Sequence, residues 1–133
     1  MSSYQERLGL LSQMVSFAKS DGKIRIEEYN FLQILADRFE ISEIDFLGLI
    51  DEPVKTIYPS SEADRILQFH RLVLLMNIDH DQDPQELQTI MEYGVQMGLS
   101  PYAIKQVLQV MNQYENKIVP PDVLVSIFKT QYN

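Results

Sequence analysis

Two acidic stretches hold the residues whose types and spacing could do chemistry. They read Ser20-Asp21-Gly22-Lys23-Ile24-Arg25-Ile26-Glu27-Glu28 and Ile78-Asp79-His80-Asp81-Gln82-Asp83-Pro84-Gln85-Glu86, and each places a Glu seven residues after an Asp. Hard divalent cations take several oxygen ligands at once, which clustered carboxylates supply. The candidate ligands are Asp21 and Glu28 in the first stretch, and Asp79, Asp81 and Glu86 in the second. Calcium, magnesium and manganese suit such a set. Zinc suits it less, because His80 is a lone imidazole there and the chain has no cysteine. Asp79-x-Asp81-x-Asp83 opens like an EF-hand loop, but position six is Pro84 where a Gly is needed and position twelve is Ile90 where a Glu is needed. A true EF-hand is therefore excluded. The same carboxylates also have a plainer explanation. Glu27, Glu28 and Glu86 fall at expected helix N-termini, where the macrodipole favours negative charge by about 0.3–1 kcal/mol. Asp83 reads as a helix cap, and Asp21 as a residue satisfying loop backbone.

The elements that must position these loops are helices. Leu8, Leu11, Met14, Val15 and Ala18 recur at spacings of three and four, which predicts an amphipathic helix over about 4–19, capped by Ser2 or Ser3 and stopped at Asp21-Gly22. A second helix is expected over 26–39, with Tyr29, Leu32, Leu35, Ala36 and Phe39 inward. Ser42-Glu43-Ile44-Asp45 opens a short third. The stretch 51–60, with Pro53 and Pro59, has little periodicity and reads as a connection. Ser61 and Asp64 open a fourth helix running to about Asn77. Its segment Leu72–Met76 is apolar on all sides and therefore expected deep in the core. Asp83-Pro84 starts a fifth helix that ends at Gly98, Ser100-Pro101 starts a sixth, and a last helix follows the break at Val119-Pro120-Pro121. No stretch alternates with period two, so no sheet is expected.

This order is written twice. Residues 11–50 align with 69–108 without a gap at an offset of 58, matching Val15 to Val73, Asp21 to Asp79, Glu28 to Glu86 and Ser42 to Ser100. The expected architecture is all-α, with about seven helices forming one domain. Repeat 1 spans about 4–52, a linker about 51–60, repeat 2 about 61–115, and the C-terminal helix about 121–131. Each repeat is helix, acidic loop, helix, short helix. One copy cannot bury its apolar face alone, whereas two packed about a pseudo-two-fold axis can, and that packing would bring both loops to one end. Gly94 aligns with Ala36 inside the second helix of each copy, which points to close helix crossings.

Phe17-Ala18-Lys19-Ser20-Asp21-Gly22-Lys23-Ile24 followed by Glu28 resembles the Asp-Gly-x-Ile-x-x-x-Glu signature of TerB-like proteins. These form the tellurite-resistance-associated helical family, whose domain also occurs at the N-terminus of some DnaJ-type membrane co-chaperones. The family has two such helix–loop–helix copies, so the resemblance covers about residues 5–115. It implies an all-helical TerB-like fold. It also carries over an acidic site proposed to bind metal, at Asp21 and Glu28 in the first copy and Asp79 and Glu86 in the second. The second loop departs from the pattern: His80 replaces the Gly, Gln82 replaces the apolar residue, and Asp81 and Asp83 are extra.

Composition narrows the function classes. A chain of 133 residues, 45% hydrophobic and 23% charged, can build one ordinary globular core. The net charge of −8 makes nucleic acid an unsuitable partner, since phosphate backbones are bound through Lys and Arg. No Lys or Arg lies between Arg71 and Lys105, a window holding Asp79, Asp81, Asp83, Glu86 and Glu92. That window fits a cation site, a docking surface for a basic protein, or a solvated face. With no apolar leader and no run near 18 apolar residues, the expectation is a cytoplasmic protein with no membrane insertion. There is no thiol nucleophile, phosphate loop, Gly-x-Ser-x-Gly or His-Glu-x-x-His, so the chain is not expected to be an enzyme. The leading expectation is a non-enzymatic TerB-like accessory of a stress response that binds a divalent cation or a basic partner. The rival is a structural or protein-interaction module whose acidic face is only solvated. A metal-dependent hydrolase is the weaker third.

Overall fold

The computed structural model describes residues 3–20, 22–78 and 83–131. Among these the protein is all-helical, with seven α-helices and no strand. The chain divides into two compact units, 1–60 and 61–133. The first holds α1 (Tyr4–Ala18), α2 (Ile26–Arg38) and α3 (Glu43–Asp51). The second holds α4 (Glu62–Met76), α5 (Pro84–Gln96), α6 (Pro101–Val110), two 3-10 turns at Met111–Gln113 and Glu115–Lys117, and α7 (Pro121–Gln131). Among the described residues, no helix is long and apolar enough to cross a membrane.

The helix boundaries repeat at the offset seen in the sequence. Both ends of α1 and α4, and of α2 and α5, differ by 58 residues, and so do the starts of α3 and α6. The starts are set by side-chain caps. Ser3 accepts the backbone N–H of Glu6, Ser61 that of Asp64, Ser42 that of Asp45 and Ser100 that of Ala103. Each such cap contributes about 1 kcal/mol relative to alanine.

The ends of α2 and α5 repeat as well. Ile41 N–H bonds the Ala36 carbonyl at 2.9 Å and Leu99 N–H the Gly94 carbonyl at 3.0 Å. The preceding residues, Glu40 (φ 56°) and Gly98 (φ 80°), sit in the left-handed region. This is the Schellman geometry, in which glycine costs least. The second copy has the glycine, whereas the first holds a glutamate there at a steric cost. Glu40→Gly is therefore expected to raise the unfolding free energy by about 0.5–1 kcal/mol, read from the urea midpoint. A variant no more stable than the parent would refute the assignment of strain.

Both units hold buried apolar residues. In the first, each helix packs on the other two. Leu11, Met14, Val15, Leu32 and Phe46 are at most 1% exposed, and Tyr29 meets the Phe46 ring at 5.5 Å between centroids. In the second, α5 packs against α4 and α6, and α7 against α6. The run Leu72-Val73-Leu74-Leu75-Met76 is buried as its all-round apolarity predicts, apart from a half-buried Leu74. Phe69 meets Phe128 of α7 edge-on, 6.1 Å between ring centroids. Gly94 stands where α4, α5 and α6 crowd. A Cβ on it would lie 2.4 Å from Ile104 Cδ1 and 3.3 Å from Phe69 Cε1, so the close crossing inferred from its alignment with Ala36 is present.

The stretch 52–60 is not a free connection. It lies along α1, tied at three points. Val54 N–H donates to Ser12 Oγ, the Thr56 hydroxyl donates to the Gly9 carbonyl, and Gln13 Nε2 donates to the Tyr58 hydroxyl, each at 3.0 Å. Gly9 permits this approach, because a Cβ there would stand 2.7 Å from the Lys55 carbonyl oxygen. Burial pushes the Tyr58 phenol up from its ordinary range, an effect that the Gln13 hydrogen bond partly offsets.

Candidate functional site

The turn after α1 is built as its residue types require. Gly22 adopts φ 98° and donates its N–H to the Lys19 carbonyl at 2.8 Å, a left-handed turn suited to glycine. Three residues before α2 reaches Glu28, Arg25 takes extended backbone angles as its N-cap. Glu28 is only 7% exposed, and its Oε1 accepts the Arg25 backbone N–H at 2.9 Å. A carboxylate at the third helical position reaching back to the cap N–H is the acidic half of a capping box. Glu28 thus spends one oxygen on its own helix.

In the second unit, Asp83 caps α5 through the Gln85 N–H at 2.9 Å, as its place before Pro84 implies. Glu86 is half-buried in the first turn of α5 and is engaged within the protein. Glu92, farther along the helix, is exposed and accepts a hydrogen bond from Gln88 Nε2 at 3.3 Å. The remaining candidate ligands, Asp21, Asp79 and Asp81, lie outside the described residues, as does His80. Among the described residues, no three of His, Asp and Glu gather closely enough to hold a metal ion.

Two polar groups near these elements stand out only in three dimensions. Asn77, the C-cap of α4, is 5% exposed. Its amide nitrogen donates to Met111 Sδ at 3.5 Å, while its Oδ1 is buried with no hydrogen-bond partner among the described residues. The counterpart at the end of α1 is Lys19, whose ammonium donates to the Ile50 carbonyl near the end of α3. A cation at the C-terminus of a helix is favourably placed. An Asn following an apolar run was the only sequence signal for the first group, and it does not distinguish a buried cap from an exposed one.

The other group is His70, half-buried on α4, with Nε2 buried and without a hydrogen-bond partner among the described residues. Burial, and secondarily the charge of Arg71, lower its pKa from the ordinary 6.5. The folded protein therefore resists the proton that the unfolded chain accepts, so the unfolded state binds more protons below pH 6.5. Stability is full above that pH and falls as the pH drops through the His70 titration. His70→Gln is expected to flatten the decline in urea midpoint between about pH 7 and pH 5 relative to the parent chain. Equal slopes in the two proteins would show that His70 does not drive it.

Comparison with known protein-family models, curated proteins and solved structures finds no match to this chain.

Proposed function

We propose that this chain is a non-enzymatic, TerB-like helical accessory of a cytoplasmic stress response, binding a divalent cation through its second acidic loop. The observation carrying this reading is the doubled helix–acidic loop–helix frame. The helices flanking the two loops coincide at a spacing of 58 residues, with Glu28 and Glu86 at matching positions in the first turns of α2 and α5, and in the sequence Asp21 and Asp79 stand seven residues before them. The second loop is favoured over the first because it adds Asp81 within a window free of Lys and Arg. Calcium, magnesium and manganese fit an all-carboxylate set better than zinc.

A second reading is favoured by the capping roles of Glu28 and Asp83: a structural or protein-interaction module whose acidic face is solvated, or meets a basic protein. A metal-dependent hydrolase has no observation in its favour beyond the carboxylates.

Thermal melting separates these readings. A cation present at 100 times its Kd stabilises the fold by about 2.7 kcal/mol. Millimolar calcium, magnesium or manganese is expected to raise the midpoint of the parent chain, and Asp79→Ala combined with Glu86→Ala is expected to abolish the rise. A midpoint indifferent to every cation in the parent chain refutes cation binding. Salt-sensitive binding of a basic peptide would then support docking.

A further inference from the structure

We draw no further inference here: the strongest candidate, the shallow apolar groove of the second unit between α4 and α7 lined by Ala63, Ile66, Val125 and Phe128 with Glu62 and Lys129 at its rim, carries nothing because nothing in the structure shows what covers it.

Discussion

Truncation of Phe69 to alanine is expected to cost about 3–5 kcal/mol of unfolding free energy, the range for emptying a fully enclosed aromatic site. Phe69 is wholly buried. It faces Phe128 of α7 edge-on at 80° and lies against the α5 backbone at Gly94, so one ring fills the space shared by three helices. The alanine variant loses the transfer energy of the ring, the edge-to-face pair, worth about 0.5–1.5 kcal/mol, and the packing of the cavity walls. Domains of this kind are stable by only about 5–15 kcal/mol, so the variant is expected to be partly unfolded at physiological temperature. Phe69→Leu keeps most of the volume and should cost much less, roughly 1–1.5 kcal/mol. Urea unfolding followed by circular dichroism measures both. A loss below about 1 kcal/mol for the alanine variant would mean that the site collapses around the missing ring and that the ring does not organise the second unit.

The second large effect concerns Gly9. In an open helical position, glycine to alanine gains about 1 kcal/mol of helix propensity. Gly48 in α3 is such a position, since a Cβ there meets nothing within 4 Å. Gly9 is the opposite case, because the new methyl would stand 2.7 Å from the Lys55 carbonyl oxygen and 3.1 Å from Thr56 Cα. Backbone cannot swing aside as a side chain can, so the 52–60 strap must lift. Its ties to Ser12, Gly9 and Gln13 contribute roughly 1 kcal/mol each, and lifting it leaves Ser12 and Gln13 buried without them. After the propensity gain is subtracted, Gly9→Ala is expected to lose about 2–4 kcal/mol, while Gly48→Ala is neutral or stabilising. Amide hydrogen exchange gives a local readout. The Val54 N–H, held by Ser12 Oγ, should lose protection in Gly9→Ala and keep it in Gly48→Ala. Unchanged exchange at Val54 together with unchanged stability would overturn the strap's role.

The contrast between Gly9 and Gly48 shows where sequence reading stops. Both are glycines inside helices and nothing local separates them; only the chain that crosses over Gly9 does. The local features were legible. Apolar residues at spacings of three and four mark α1 and α2. Serines at 3, 42, 61 and 100 start helices because a side-chain oxygen must satisfy the first free N–H groups, and Asp83-Pro84 starts α5 for the same reason. These are interactions among residues a few positions apart, so the sequence contains both partners. The two left-handed residues at Asn116 and Lys117 were not legible, because neither residue type demands that conformation.

The candidate site divides in the same way. Residue types and spacing alone identify the carboxylates, their repetition at 58 residues, and the unsuitability of an EF-hand. The helix-end explanation for Glu28 was also available from position. That Glu28 is buried was decided by tertiary structure, because burial depends on what packs over a helix end, whereas its bond to the Arg25 N–H is local. The burial of Asn77 and the depressed basicity of His70 belong to the same class. Each depends on neighbours distant in the chain that exclude water. The sequence by itself therefore determined the helices, their caps, their duplication and the acidic loops, because periodicity and capping act within a turn or two. Only the tertiary structure decided which glycine is crossed by backbone, which ring fills the second core and which carboxylate is buried, because those outcomes depend on segments tens of residues apart meeting in space.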